Sequence, residues 1–346
     1  MYLRGTCWKG SHLMGYLYIT EHGAKISFTS NCVKIQYPEG QYKNIPVETL
    51  ENISIFCNAQ VTTQCLVECM KRGITVSYYS SGGRYYGRLE TLEHVHTERQ
   101  RRQVGLYNSD FALEFGKKTL RAKIKNQEVL LRRYARNKDC DITDEIKMMD
   151  NFYRKMKESD SITQMMGYEG GAAKSYFHGL SKVTDDKFQF NGRSKRPPED
   201  EFNAMLSLGY SIIMNEIYGI IAEKGLNPYF GFVHRDKEKH PSLASDLMEE
   251  WRPVIVDSVV MSLVNGHEIL LEHFTHDEDG PGFFLTKEGK KIFIDKLEKK
   301  ERTEITYLSY ITYPVTFKKS MELQVNSLVH AIEEENIDIY QPVRIR

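Results

Sequence analysis

An imidazole and two carboxylates lie at a spacing that suits metal chemistry. His234 ends the run Gly231-Phe-Val-His, and Asp246 and Glu249 follow within a helical pattern. Side chains three residues apart share one face of a helix. A loop histidine that faces two carboxylates could hold a hard divalent cation with one nitrogen ligand, and such cations carry out phosphate chemistry.

A third carboxylate, that of Glu169, would complete such a ligand set. It lies in the run Gly167-Tyr-Glu-Gly-Gly, near a predicted helix start. An acid at this position also has a purely structural explanation, because the positive end of the helix dipole favours it. Gly170 and Gly171 are poor helix formers, and their bare backbone would let a phosphate chain come close.

The acids of the later helix lie beside its buried stripe. Fourfold spacing from Leu243 to Trp251 predicts that stripe, and Asp246 and Glu249 flank it. Acids at the edge of a core need a partner, which is either a bound cation or a basic side chain such as Arg252. The sequence leaves both partners open.

Other candidate sites have weaker support. A cluster of histidines and aspartates has no catalytic helix spacing, and we interpret it as a loop. The sequence contains no GxSxG, phosphate-binding P-loop or Rossmann glycine pattern, so nucleophilic serine or cysteine catalysis has no support. The members of the cluster are His267, His273, His276, Asp277 and Asp279.

Composition is that of an ordinary globular protein. The 346 residues are 40% hydrophobic and 27% charged with zero formal net charge, so only the local distribution of charge can indicate a nucleic-acid partner. The six cysteines lack a tetrahedral zinc pattern, and we interpret them as reduced thiols of a cytoplasmic protein. No window approaches the roughly 18 apolar residues of a membrane span, and we expect no membrane partner.

The beginning of the chain is set apart from this reasoning. Lys9-Gly-Ser-His-Leu-Met14 resembles a cloning-derived leader ahead of a native start at Met14, although the segment could equally be native. Residues 1–13 are therefore left out of every functional inference.

Periodicity predicts an α+β protein with a small N-terminal β-rich domain and a larger all-helical C-terminal domain. Short β-branched and aromatic runs separated by turn residues fill residues 14–92, with one helix from Val61 to Arg72. A period of 3.6 prevails through residues 93–346. Helices are predicted over 97–137, 143–158, 169–181, 199–224, 243–264, 286–300 and 318–335.

Positive charge is concentrated in two segments of the predicted helical domain. Residues 97–138 contain twelve Lys and Arg against four acids, and a second basic patch occupies the loop Arg193–Arg196. The pattern alone favours a solvated helix face, but two basic segments around a metal site also suit a DNA backbone. The predicted DNA-binding residues are Arg121, Lys125, Arg132, Arg133, Arg193, Lys195 and Arg196.

Three motifs together resemble the CRISPR-associated integrase family, the universal nuclease of CRISPR adaptation (Cas1). They are Tyr168-Glu-Gly170, Gly231-Phe-Val-His234 and Ser242-Leu-Ala-Ser-Asp-Leu-Met-Glu-Glu-Trp-Arg-Pro253. Gly192–Pro198 and Asn203–Tyr210 also resemble this family, most closely the branch that accompanies type I-C systems. The resemblance covers nearly the whole chain after Met14.

The resemblance implies a catalytic metal, manganese or magnesium, held by Glu169, His234 and Glu249. Asp246 matches a second family acid close to the metal, where it could orient a ligand or accept a proton. The implied reaction inserts foreign DNA fragments into the CRISPR array by attack of a 3′-OH on a repeat phosphodiester. The implied assembly is a homodimer formed through the β domain, with two dimers on a small partner (Cas2) in a hetero-hexamer.

Two alternatives share the same residues. One is a metal-dependent DNase without an integrase role. The other is a non-catalytic DNA-binding scaffold whose acids only cap helices, and it predicts that substitution of Glu169, His234 or Glu249 leaves activity unchanged.

Overall fold

The structure is a computed structural model that divides into two compact units, residues 1–93 and 94–346. Four predictions concern residues outside the described part: the leader 1–13, Arg196, Asp277 and Asp279. The described residues are 15–81, 85–89, 95–195, 197–234, 238–276, 282–306 and 311–345.

The described residues of the N-terminal unit form two four-stranded sheets and one α-helix. In the first sheet the order is β1-β5-β7-β8, with only β8 antiparallel to its neighbour; in the second it is β4-β3-β2-β6, with β6 parallel to β2. The elements are β1 (Gly15–Ile19), β2 (Lys25–Thr29), β3 (Cys32–Gln36), β4 (Tyr42–Pro46), β5 (Leu50–Ile55), β6 (Gln60–Val61), α1 (Thr63–Lys71), β7 (Thr75–Tyr79) and β8 (Tyr85–Leu89).

Branched aliphatic side chains from both sheets form the core of this unit, including Ile26, Val33, Ile53 and Val76. The strand β4 has no apolar run of its own and was not predicted. It lies at the edge of its sheet and ends at Pro46, a residue that a central strand excludes because it cannot donate to the ladder.

Ten α-helices are present in the described residues, nine of them in the C-terminal unit. This unit also carries two short antiparallel strand pairs, and the predicted order of a β-rich part followed by a helical part is confirmed. The helices are α2 (Thr97–Gly105), α3 (Asp110–Lys138), α4 (Thr143–Lys157), α5 (Ile162–Lys182), α6 (Glu201–Glu223), α7 (Ser242–Met248), α8 (Ser258–Asn265), α9 (Lys287–Glu301) and α10 (Phe317–Glu333); the strands are β9 (Phe274–His276), β10 (Phe283–Leu285), β11 (Glu304–Ile305) and β12 (Val315–Thr316).

Two predicted helices are interrupted. The predicted helix 97–137 is divided between α2 and α3, where Asn108 adopts a left-handed φ of 61°. The predicted helix 243–264 contains one turn of π-helix, Arg252–Asp257, between α7 and α8. Pro253 has no N–H to donate, so a regular α-helical ladder cannot pass through it, and the wider turn absorbs the defect.

The prediction that Glu169 lies near a helix start is wrong. The helix α5 begins at Ile162, where the Ser161 side chain accepts from the amide of Gln164. Glu169 lies about two turns beyond this start, in the interior of the helix. Gly171 lies under the Phe152 ring of α4, which leaves no room for a ligand at its backbone, whereas the Cα of Gly170 faces open space. Gly171 therefore serves the packing of α5 against α4, and Gly170 does not.

The prediction that no segment approaches a membrane span is wrong by length and composition. By length and composition, α6 is a helix of the described residues that could cross a membrane, with a mean hydropathy of 1.3 in its most apolar window. Of that window, 72% is buried inside the protein. A buried core helix meets the same criteria of length and hydropathy as a membrane span.

Candidate active site

Asp246 holds the loop that carries His234. One of its carboxylate oxygens, Oδ2, accepts hydrogen bonds from the amides of Phe232 (2.7 Å) and Val233 (3.0 Å). The other, Oδ1, accepts from the amide of His234 at 2.9 Å and lies 2.6 Å from Nδ1 of its ring. Because Nδ1 is engaged with the carboxylate, Nε2 is the ring nitrogen left for a ligand.

The loop can come this close because it begins with a glycine. A Cβ at Gly231 would lie 2.8 Å from Oδ2 of Asp246 and 2.8 Å from the carbonyl carbon of Ser242. Asp246 itself is fully buried in α7. The sequence left its role open between orienting a neighbour and accepting a proton, and its four partners in this loop favour orientation.

Glu249 follows α7 directly and is 4% exposed. Its Oε1 lies 3.2 Å from Nε of Arg252 and 3.8 Å from Nε2 of His234, while its Oε2 lies 2.6 Å from Nζ of Lys123. Burial acts to raise the pKa of Glu249, but the charges of Arg252, Lys123 and His234 outweigh it and lower the pKa to about 2. The carboxylate is therefore ionised although it is buried.

Lys123 of α3 is the functional candidate that sequence reasoning missed. Its ammonium contacts Oε1 of Glu169 as well as Oε2 of Glu249, and the residue is 7% exposed. Burial acts to lower the pKa of Lys123, but the two glutamates outweigh it and the pKa is raised. One signal was available: Lys123 lies three residues from Leu120 and seven from Leu130, on the buried face of α3.

Of the predicted ligands, Glu169 and Glu249 meet at this lysine, and Nε2 of His234 lies 3.8 Å from Glu249. Both glutamates contact the same nitrogen, so their oxygens lie within reach of a single cation. Throughout the described ranges, no three His, Cys, Asp or Glu side chains are gathered as a ready-made metal cage. The donor set of two carboxylates and one neutral imidazole nevertheless fits a hard divalent ion that tolerates one nitrogen.

The protonation of His234 is biased by the same acids. Burial acts to lower the pKa of His234, but its hydrogen bond and attraction to Asp246, together with the charge of Glu249, raise the pKa overall. A charged imidazole cannot bind a metal, so ligand binding at Nε2 requires loss of this proton.

A second buried network fixes the turn that carries Glu249. The next residue, Glu250, accepts from the Tyr340 hydroxyl and from the Val343 amide, each at 2.6 Å. The amide group of Asn126 in α3 donates to the backbone oxygens of Glu250 (3.1 Å) and Val343 (3.0 Å). The C-terminal segment is thus tied to both α3 and the turn that carries Glu249.

Aromatic hydroxyls fix the π-helical turn that follows. Asp257 accepts from Tyr210 at 2.5 Å and from Tyr176 at 2.8 Å. The Arg252 guanidinium lies 4.5 Å from the Tyr210 ring centroid, and that of Arg193 lies 5.3 Å from it. Arg252, the structural partner considered for Glu249, is thereby held from its other side by an aromatic face.

Several predicted DNA-binding residues have protein partners. Arg121 lies 4.4 Å from the Tyr153 ring centroid, and Arg193 donates to Asn203 at 2.9 Å. In α3, both Lys125 and Arg132 pair with Glu128, at 2.6 and 2.8 Å. Arg133 and Lys195 are exposed, and Arg196 lies outside the described residues.

The histidine cluster does not form a site among its described members. The His267 ring lies 3.7 Å from Asp185, and the His273 ring accepts from the Leu270 amide at 3.0 Å. The third histidine, His276, packs on Phe283 at a ring-centroid distance of 4.0 Å. The interpretation of this cluster as a loop is wrong for Phe274–His276, which form β9.

Comparisons with known proteins point to one family. The family model described as "CRISPR associated protein Cas1" matches residues 17–299. A CRISPR-associated endonuclease Cas1 of Mycobacterium tuberculosis is 34% identical over 321 residues, which are 92% of this chain and 94% of the relative.

Two solved structures share the fold. A casposase bound to an integration product has a TM-score of 0.84 at 22% identity, with 93% of this chain and 92% of that one covered. A Cas6-RT-Cas1–Cas2 complex has a TM-score of 0.84 at 20% identity, with 99% of this chain and 38% of that one covered.

Proposed function

This chain belongs to the Cas1 family of CRISPR-associated proteins, and we propose that it is a metal-dependent DNA endonuclease and integrase that inserts foreign DNA fragments into a CRISPR array. The nuclease part of the expected enzyme class agrees with the name of the relative, a CRISPR-associated endonuclease Cas1, and the integrase part belongs to this proposal. The observation that carries the proposed chemistry is that Glu169 and Glu249 share one buried cation, Lys123 Nζ, while Nε2 of His234 lies 3.8 Å from Glu249.

The proposed metal ligands are Glu169, Nε2 of His234 and Glu249. A manganese or magnesium ion held there would offset the negative charge that accumulates on a phosphodiester under attack. Asp246 supports this role by fixing His234 in the tautomer whose Nε2 is unprotonated. Arg252 supports it by keeping Glu249 ionised.

In the proposed reaction, the 3′-OH of a DNA fragment attacks a phosphodiester of the repeat and displaces the repeat's 3′ oxygen. Water in place of the 3′-OH gives hydrolysis. The protein's own contribution is positional: Asp246 and the 231–234 loop set the imidazole, and the Glu250 network sets the turn at Glu249. Positioning and charge stabilisation are the main sources of catalysis in phosphoryl transfer.

The proposed partners are DNA and Cas2. The basic residues Arg121, Lys125, Arg132, Arg133, Arg193, Lys195 and Arg196 are proposed to contact the DNA backbone. The proposed assembly is a homodimer formed through the N-terminal β unit, with two dimers on Cas2 in a hetero-hexamer. The resemblance of Gly192–Pro198 supports the type I-C-like branch, and we propose a cytoplasmic location.

The test uses a DNA fragment with a free 3′-OH and a duplex that contains the repeat, incubated with Mn²⁺ and with Cas2. We expect a branched product that joins fragment and repeat, and its loss in Glu169→Gln, His234→Ala and Glu249→Gln. Glu158→Gln, at an exposed acid that directly follows α4, is the matched control and should retain the product.

The alternatives give different products. Shortened DNA without a branched product would support the DNase without an integrase role. Unchanged activity in all three site variants, with no effect of metal on melting temperature, would support the DNA-binding scaffold.

A further inference from the structure

Lys123 occupies the position between the two proposed acidic metal ligands. Its ammonium contacts Glu169 and Glu249 at once, and among the described residues it is the one side chain with a contact to both. An oxygen of Glu169 or Glu249 that contacts the ammonium is not available to a divalent ion at the same time. The ammonium and the metal therefore compete for these oxygens. The inference below rests on the proposed metal site.

We infer that Lys123 is a resident counter-cation that holds Glu169 and Glu249 together before metal binds and gives up at least one of them when metal arrives. It is a positioning residue, because it acts through the ligands and not on the substrate. The proposal assigns the lysine a state-dependent role that neither a fixed salt bridge nor a surface DNA contact would have.

The carboxylates of Glu169, in α5, and Glu249, in the turn after α7, repel one another, and burial strengthens the repulsion because little water screens it. Arg252 contacts Glu249 and is also attracted to the charge of Glu169, but in the described residues it makes no direct contact with Glu169 that could bridge the pair. The ammonium of Lys123 does so, and without it the metal-free site would carry an uncompensated buried charge.

The side chain of a lysine is suited to such an exchange. Its charge is a single point on four flexible carbons, so the ammonium can move while the stem stays packed against the core. An arriving divalent ion would meet repulsion from Lys123 if the ammonium stayed in place. Metal binding must therefore displace the ammonium, and this displacement weakens the apparent affinity for metal.

The test compares metal binding in variants of α3. In Lys123→Met the competing charge is gone, so we expect Mn²⁺ to bind about tenfold more tightly by titration calorimetry. The metal-free variant should melt at a lower temperature than the unmodified protein, and Mn²⁺ should raise its melting temperature by more. Lys117→Met is the matched control, because Lys117 is also a largely buried lysine of α3 that pairs with an acid, Glu114, at 2.7 Å.

A second variant separates this role from simple structural support. Lys123→Gln keeps a hydrogen-bond donor without the charge, and it should also gain affinity for Mn²⁺. If both variants fold only when Mn²⁺ is present, the metal has taken over the role of the ammonium and the inference holds. Both variants remaining unfolded at saturating Mn²⁺ would overturn it.

Two further results would overturn the inference. Equal or weaker Mn²⁺ affinity in the folded Lys123 variants would show that the ammonium does not compete with metal, while the proposed function would stand. If the unmodified protein itself binds no Mn²⁺, the metal site and this inference are overturned together.

Discussion

The hydroxyl of Tyr340 donates a 2.6 Å hydrogen bond to Glu250, the residue that follows the proposed metal ligand Glu249. Both residues are fully buried. A tyrosine more than eighty residues away along the chain therefore holds the turn on which the candidate site depends.

Removal of this hydroxyl should lower stability. Tyr340→Phe leaves one oxygen of a buried carboxyl without its donor, and we expect a loss of about 1–3 kcal/mol in the free energy of unfolding. Urea denaturation of the metal-free protein measures it. Tyr313→Phe, at a tyrosine that is 58% exposed, should change stability little, and equal effects of the two substitutions would contradict this account.

The pH dependence of stability should carry a contribution from Glu250. Burial raises the pKa of Glu250 to about 7, despite the hydrogen bonds from Tyr340 and Val343, which act to lower it. The folded protein then binds more protons than the unfolded chain, so this contribution is fully present below pH 4.5 and is lost as the pH rises through about 7. A shift of this size corresponds to about 3 kcal/mol.

Glu250→Gln should flatten this part of the stability profile. The glutamine amide can accept from the Val343 amide and donate to Tyr340, so the variant mimics the protonated carboxyl at every pH. Denaturation curves between pH 5 and pH 8 measure the slope, with Glu334→Gln at an exposed acid as the control. A slope that matches that of the unmodified protein would assign the titration to another group.

Substitution of Asp246 should impair metal binding through His234. Both carboxylate oxygens of Asp246 accept hydrogen bonds from the loop that carries His234. Asp246→Asn turns one of these acceptors into an NH2 donor, so the imidazole loses its fixed tautomer. Loss of such a supporting partner typically costs about 10–100-fold in metal affinity or activity. Calorimetric titration with Mn²⁺ measures it, and the exposed Asp295→Asn should bind like the unmodified protein.

The two glycines after Glu169 should respond oppositely to alanine. Gly170→Ala meets no atom within 4 Å and should stabilise α5 by about 0.5–1 kcal/mol, because alanine is the better helix former. Gly171→Ala collides with the Phe152 ring, and such overpacking costs about 1–3 kcal/mol. Thermal melting of both variants measures the difference; the same sign for both would refute the packing account.

Periodicity predicted the order of the two units and most of the helices, because an apolar stripe of period 3.6 or 2 has to face a core. It failed where a local event breaks the period, at the left-handed Asn108 and at the π-helical turn around Pro253. It also failed for β4, whose edge position requires no apolar run.

The sequence predicted the acids and the imidazole of the candidate site but not the lysine that neutralises them, Lys123. Spacing and resemblance selected Glu169, His234, Asp246 and Glu249, and their roles as ligands remain predictions. Lys123 was counted with eleven other basic residues of 97–138, because a count of charges does not distinguish a lysine in the core from one in solvent. The donors to Glu250 come from so far along the chain that no local pattern could associate them.

The dependence of Glu250 on Tyr340 and Val343 has a consequence for protein synthesis. A ribosome must translate past Val343 before the turn at Glu249 acquires these donors, so a nascent chain would carry every proposed ligand for many codons without a finished nuclease. In ribosome-stalled chains that stop before Tyr340, protease should therefore cut around residues 249–257. The released protein should resist cleavage at the same residues. Equal protection of stalled and released chains would argue against this delay.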